Sequence, residues 1–408
     1  MNNSKLQFRR ASSNIKLVDI YGEPIKNQII EVKLKNHEFL FGCGVPQLLE
    51  YTLPNVKVKK EVFEERMRKW LDLFNYGTMH FYWGIYEHEE GKTNEVSLKR
   101  AANFLKENNV TMKGHPLCWH TACAEWLLKY NNLEIIEKQK NRIRRDVSSF
   151  AGLVDCWDVI NEVVIMPEYD RYDNAITRIC KELGRVKTVK TMFEEAKAAN
   201  PNACLLINDF NLSKDYESLI DECLNAGVPI NAIGIQTHQH QGYMGSEKLY
   251  HILERFGKFG LPLHFTENTV ISGDLMPRDI VDLNDYRKSE WPSTIEGEVR
   301  QANELEEMYR ILFGHPLVEA ITAWDFADGA WLGAPAGLIR KDNSSKLSYD
   351  MLKYLIKEEW STKETLKTND NGWITMEGFK GEYSISTISK SGSYKLESNN
   401  QDMIVVLE

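Results

Sequence analysis

The chain has 408 residues, 42% hydrophobic and 27% charged, enough for one large core with a small module beside it. A net charge of −9 argues against a nucleic-acid or anionic-membrane partner. No run of 18 apolar residues is present to cross a bilayer as a helix.

The first residues lack the apolar core of a secretory leader, so the chain is expected to be cytoplasmic unless a leader has been removed from it. Residues 15–34 read as strand, turn, strand, with Tyr21-Gly22-Glu23-Pro24 at the turn. Eight apolar stretches then read as strands: 38–44, 73–81, 110–117, 154–161, 203–208, 232–237, 261–267 and 318–325. Helical spacing lies between them. Leu98, Ala101 and Leu105 share one face, as do Val186, Val189, Phe193 and Ala196, and again Val299, Ala302, Leu305 and Leu312. Gly314-His315-Pro316 stops the last of these helices. Eight strands alternating with helices predict an α/β fold, a (β/α)8 TIM barrel. A doubly wound open sheet is the alternative, but no glycine-rich phosphate loop follows any strand. After residue 360 the chain is β-like again. Asn369-Asp370-Asn371-Gly372 marks a turn, with apolar or alternating stretches at 374–376, 383–385 and 403–407. Isolated strands at the two ends cannot bury a face alone. They are expected to join into one small all-β sandwich (1–36 and 361–408) into which the barrel (37–360) is inserted; two unrelated decorations are the alternative. Seven scattered cysteines with no CxxC pair read as reduced, mostly buried thiols.

The chemistry gathers at strand ends. Trp157-Asp158-Val159-Ile160-Asn161-Glu162 is a buried strand that delivers a carboxylate at its end, and the stretch 261–267 does the same at Glu267. A charge at the edge of an apolar core is costly and is tolerated where that edge is a site. One such Glu could be a salt-bridge residue. Here it has company: His115, Trp119 and His120 follow the third strand, Asn208 and Asn211 the fifth, Gln236 and His238 the sixth, Trp324 and Trp331 the eighth. Two carboxylates presented from strand ends suit glycoside hydrolysis. The histidines show no HExxH or Cys2His2 spacing, so neither a catalytic metal nor a cofactor is expected.

With Gly114-His115…Trp119-His120, Trp157…Asn161-Glu162, Gly234-Ile235-Gln236-Thr237-His238 and Thr266-Glu267 in this order, the sequence resembles family-10 glycoside hydrolases, the retaining endo-β-1,4-xylanases, over roughly residues 38–358. The resemblance implies Glu162 as acid/base and Glu267 as nucleophile, with the carboxyls roughly 5–5.5 Å apart. It implies Asn161 on the sugar 2-hydroxyl, and Gln236 and His238 holding the Glu267 region. It places Trp324 and Trp331 around the sugar at the cleavage point, with His115 and Trp119 also on the substrate. Core packing is the alternative for each tryptophan. The substrate would be β-linked xylan or a xylo-oligosaccharide, or another or decorated β-glycan; a catalytically silent carbohydrate-binding barrel is the rival from another class. The chain ends resemble the two halves of a transthyretin-like or carboxypeptidase-regulatory-like domain.

One region departs from the family. After the second strand the family carries Glu-Asn-x-x-Lys-Trp, whereas this chain has Tyr76-Gly77-Thr78-Met79-His80-Phe81-Tyr82-Trp83. A Gln usual after the third strand is replaced by Ala122. Both changes fall on the glycone side, which His80, Tyr82 and Trp83 are expected to line. Residues 270–294 form a long loop containing Trp291, expected to be a lid or wall of the cleft.

Overall fold

The computed structural model describes residues 3–45, 60–288, 290–399 and 401–408. The chain divides into two compact units, Phe41–Ser348 and the joined ends Met1–Leu40 and Tyr349–Glu408.

The two end segments share two sheets. Strands β1 (Arg10–Val18) and β2 (Ile29–His37) do not pair with each other, so the strand-turn-strand of residues 15–34 is not a hairpin. The next eight strands along the chain form the sheet of the other unit. The C-terminal strands are β11 (Lys363–Lys367), β12 (Trp373–Phe379), β13 (Gly381–Ser386), β14 (Ser391–Leu396) and β15 (Gln401–Val406). One sheet has the order β12-β1-β15, the other β11-β2-β13-β14. Alternation explains the layering: Ala11, Ser13, Ile15 and Leu17 of β1 and Ile30, Val32 and Leu34 of β2 are buried while their neighbours face out. Tyr383 and Tyr394 stack at 5.3 Å, and their hydroxyls reach Phe379 O and Met376 Sδ in the opposite sheet. Phe379, Tyr383 and Tyr394 are therefore core residues of this unit. Asn369 makes the expected turn: its Oδ1 accepts from the amides of Asn371 and Trp373, and Gly372 takes φ +81°.

The other unit is a closed barrel of eight parallel strands: β3 (Leu40–Gly44), β4 (Tyr76–His80), β5 (Thr111–His115), β6 (Cys156–Asn161), β7 (Cys204–Asp209), β8 (Ala232–Gln239), β9 (Leu263–Val270) and β10 (Val318–Ala323). Each corresponds to an expected strand. Their near-continuous burial reflects a sheet covered on one face by helices and filled on the other by packed side chains. Close packing is visible at Gly114, where a Cβ would lie 2.2 Å from the Trp157 ring. The helix faces at Leu98, Ala101 and Leu105 and at Val189, Phe193 and Ala196 are buried as expected. Helix Ile295–Phe313 is turned differently: Val299 is exposed, and Gln301, Leu305, Met308, Tyr309 and Leu312 face inward. The buried Gln301 donates to Val270 O, which explains why a polar residue holds that face. Of the cysteines, Cys43, Cys118, Cys156, Cys180 and Cys223 are buried, and Cys123 and Cys204 are partly so. Among the described residues no helix is long and apolar enough to cross a membrane.

Candidate active site

Both carboxylates have left-handed backbones, Glu162 at φ 57° and Glu267 at φ 56°. That conformation costs a non-glycine residue on the order of 1–2 kcal/mol and is held by its surroundings. Glu162 directly follows β6, and its amide donates to Asn208 O at 2.8 Å. Glu267 does not end its strand as expected. β9 runs on to Val270, and its pairing with β8 and β10 slips around Glu267. A bulge of this kind re-aims a side chain without ending the sheet.

A chain of amides links the two. Gln236 Nε2 lies 3.4 Å from Glu162 Oε1 and 3.0 Å from Asn161 Oδ1. Asn208 Nδ2 donates to Asn161 Oδ1 and to Glu267 Oε1, both at 2.8 Å, while its Oδ1 accepts from Thr266 Oγ1 at 2.7 Å. A Cβ on Gly234 would lie 2.4 Å from Asn208 Oδ1, so glycine makes room for this central amide. Asn161 Nδ2 is buried with no protein partner, an unusual orphan donor at a site edge. His238 completes the Glu267 environment, with Nε2 3.1 Å from Oε2 and Nδ1 2.9 Å from Thr269 Oγ1.

The two carboxyls have opposite environments. Burial pushes Glu162 up to about 8, with the charge of Glu267 adding to it against a 2.8 Å bond from Trp119 Nε1. Burial also works against ionising Glu267, but His115, His238 and Lys113 together outweigh it and hold Glu267 below its ordinary value. The cation comes from inside the barrel. Lys113 Nζ and His115 Nδ1 both lie 2.7 Å from Asp158 Oδ2, and His115 Nδ1 is 3.9 Å from Glu267 Oε1. A buried ion pair is costly to desolvate, by several kcal/mol per ion, so its position beneath Glu267 is informative.

Aromatic rings surround this centre. Trp324 stacks on His80 at 5.2 Å and meets His115 and His238 edge-on. Trp331 lies 4.5 Å from His238, and Tyr82 lies 5.4 Å from Trp119. All the expected site residues thus converge except Trp83. Its indole is buried away from the others, donates to Glu87 Oε2 at 3.0 Å, and carries the Arg142 guanidinium 4.8 Å from its ring. Ala122 takes φ 50° and lines a cavity of about 300 Å³ with Tyr172 and Asn174. The long loop after β9 has its own core, in which Ile271, Met276 and Trp291 pack against Leu332, Ala334 and Ala336. Sequence reasoning missed Lys113, Asp158 and Asn208 as a set, and the loop residues Tyr169 and Tyr172. Tyr169 lies 4.4 Å from His120, whose Nε2 is 4.0 Å from Glu162 Oε2. Only the strand-end position of Asn208 gave a signal.

A closed parallel (β/α)8 barrel with two carboxylates, amides and aromatic rings at the carboxy-terminal ends of its strands defines a barrel of the glycosidase class. Residues 76–353, well over half of the chain, match the model for glycosyl hydrolase family 10, and the chain belongs to that family. An endo-1,4-β-xylanase B of Thermotoga neapolitana is 27% identical over 295 residues, covering 68% of this chain and 78% of that protein. An anti-sigma-I factor of Acetivibrio thermocellus is 25% identical over 414 residues, covering 96% of this chain and 47% of that protein. The chain spans less than half the length of several curated relatives it matches. A solved family-10 structure from Paenibacillus barcinonensis shares the fold, with a TM-score of 0.64 and 22% identity over 78% of this chain and 94% of that one.

Proposed function

We propose that the chain hydrolyses β-1,4-xylosidic bonds in xylan or xylo-oligosaccharides with retention of configuration, Glu162 acting as acid/base and Glu267 as nucleophile. The observation that carries this is the opposite ionisation of two carboxyls joined by one amide chain. Glu162 keeps its proton near neutrality and gives it to the leaving oxygen. Ionised Glu267 attacks the anomeric carbon, and a covalent glycosyl-enzyme forms. Glu162, now a carboxylate, takes a proton from water, which releases the sugar with its configuration restored. His238 and Asn208 each direct a nitrogen at Glu267, which supports its charge and fixes its oxygens. The orphan Asn161 Nδ2 suits a sugar hydroxyl beside the anomeric carbon. Trp324 and Trp331 offer apolar faces that match those of a pyranose ring.

The kcat/KM profile on xylo-oligosaccharides should be bell-shaped. Activity should be lost as pH rises through about 8, where Glu162 gives up its proton. It should be lost on the acid side only below the ordinary range of a glutamate, where Glu267 takes one up. A basic limb that stays in place in Glu162→Gln, at whatever residual rate, would count against this assignment.

On the glycone side His80 and Tyr82 stand where the family places acidic, amide and lysine groups. His80 Nε2 is buried without a protein partner, and burial pulls the ring down to about 3, so it is neutral at working pH. A neutral aromatic wall supports a decorated or terminal sugar rather than an unbranched internal xylose. Calorimetric titration of Glu267→Ala with unbranched xylotriose should give weak glycone-side binding, roughly tenfold weaker than with a substituted fragment, the scale of one or two lost hydrogen bonds. Equal affinities would reject it.

A second reading comes from the anti-sigma-I factor, whose match covers more of this chain than the barrel alone could supply. On that reading the barrel binds glycan without cleaving it. Wild type and Glu267→Ala equally inert, with both binding xylo-oligosaccharide, would favour it.

A further inference from the structure

The loops that follow the two carboxylate-bearing strands are tied to each other. Arg171 lies in the loop after Glu162, and Asp282 and Asp285 lie in the loop after β9. Arg171 Nη1 is 2.8 Å from Asp282 Oδ2, and Nη2 is 2.5 and 2.6 Å from the two oxygens of Asp285. β7 and β8 separate β6 from β9 in the barrel. On the other side four strands separate them, so the shorter way between the two tied loops runs past β7 and β8.

The β9 loop has a packed base. Trp291 and Met276 are buried, the Met276 amide donates to His240 O at 2.9 Å, and Gln241 Nε2 donates to Pro277 O and Ile280 O, each at 2.8 Å. Leu283 and Tyr286 pack, partly buried, against the same cluster as Trp291, while the aspartates beside them reach across to Arg171. The side chains of Arg171, Asp282 and Asp285 keep 41%, 34% and 54% of their accessible area. Exposed pairs of this kind are weak and screened by salt, so the tie can open without unfolding its base. Beside it on the other loop, Tyr169 and Tyr172 meet edge-on at 5.2 Å and lead through the His120 ring toward Glu162.

We propose that Arg171, Asp282 and Asp285 form a strap across one end of the cleft and set substrate length: closed, it admits short oligosaccharides, and a polymer must break it to lie through the site. This rests on the hydrolase reading above. Arg171 acts on neither carboxyl. It is a specificity residue, working by holding one loop to the other.

The test compares full-length wild type, Arg171→Ala and the double variant Asp282→Ala/Asp285→Ala on soluble polymeric xylan and on xylotriose. Both variants should raise the ratio of kcat/KM for polymer to that for xylotriose about fivefold, the scale of a small network of exposed pairs. Raising salt from about 20 mM to about 1 M should move the wild-type ratio the same way and leave both variants' ratios unchanged, because only the wild type has a screened tie to lose. Unchanged ratios in both variants overturn the strap. Should the wild type cleave neither substrate, the hydrolase reading fails by itself, and the strap is read from binding. Retention of soluble xylan in an affinity gel, against calorimetric binding of xylotriose, should then favour xylan more strongly in both variants; the same preference in all three proteins overturns it.

Discussion

Glu162→Ala should slow hydrolysis of xylo-oligosaccharides by about 10²–10⁴-fold, the usual contribution of a general acid and base. The loss should depend on the leaving group. An alkoxide leaving from a sugar needs the proton that Glu162 carries, so the natural bond suffers fully. A nitrophenolate departs unaided, so with an aryl β-xyloside the first step should be nearly unaffected and the covalent intermediate should accumulate. Its release then lacks a base to activate water. Added azide, which needs no base, should restore turnover and give the β-xylosyl azide. The environment suits the proposed role of acid: burial and the nearby Glu267 charge keep its proton on up to about 8. Equal losses on both substrates, with no azide rescue, would remove Glu162 from the role.

Glu267→Ala should cost more, on the order of 10⁴–10⁶-fold and on every leaving group, because no covalent intermediate can form without the nucleophile. Here azide would enter from the vacated side in a single displacement and give the α-azide. The opposite product stereochemistry of the two variants is the sharpest discriminator between the roles, since both could be equally slow on xylan. The bonds from Asn208 and His238 make the wild-type carboxylate a fixed one, so Glu267→Asp should also be severely impaired by withdrawing the oxygens from their partners. A β-azide from Glu267→Ala would reverse the assignment.

The barrel was legible because its strands are apolar on both faces and separated by helical spacing, a pattern that survives without any neighbour. The sandwich was less legible. β11 is a polar and mostly exposed edge strand with no apolar alternation, and β14, at the other edge, alternates only at Tyr394 and Leu396. The separation of β1 and β2 into different sheets could not be read, because each finds its partners more than 300 residues away, as in Ile15 with Ile374 and Val32 with Glu364. Trp83 misled for a simple reason. It follows a strand end, as a site residue should, but the chain turns there into the helix Trp83–Tyr86, and the ring goes into the core.

At the centre itself the sequence alone pointed to most of the polar residues that meet. Strand-end position put Asn161, Glu162, Gln236, His238 and Glu267 at one set of strand ends, since parallel strands in a barrel all finish on the same side. Only the tertiary structure decided their states. Ionisation depends on charges and burial acting through space, and Lys113 and Asp158, which set the field under Glu267, look in sequence like ordinary polar residues of two strands. The left-handed backbones that turn both carboxylates inward, and the ties between the loops that follow them, likewise exist only once distant strands have closed the barrel.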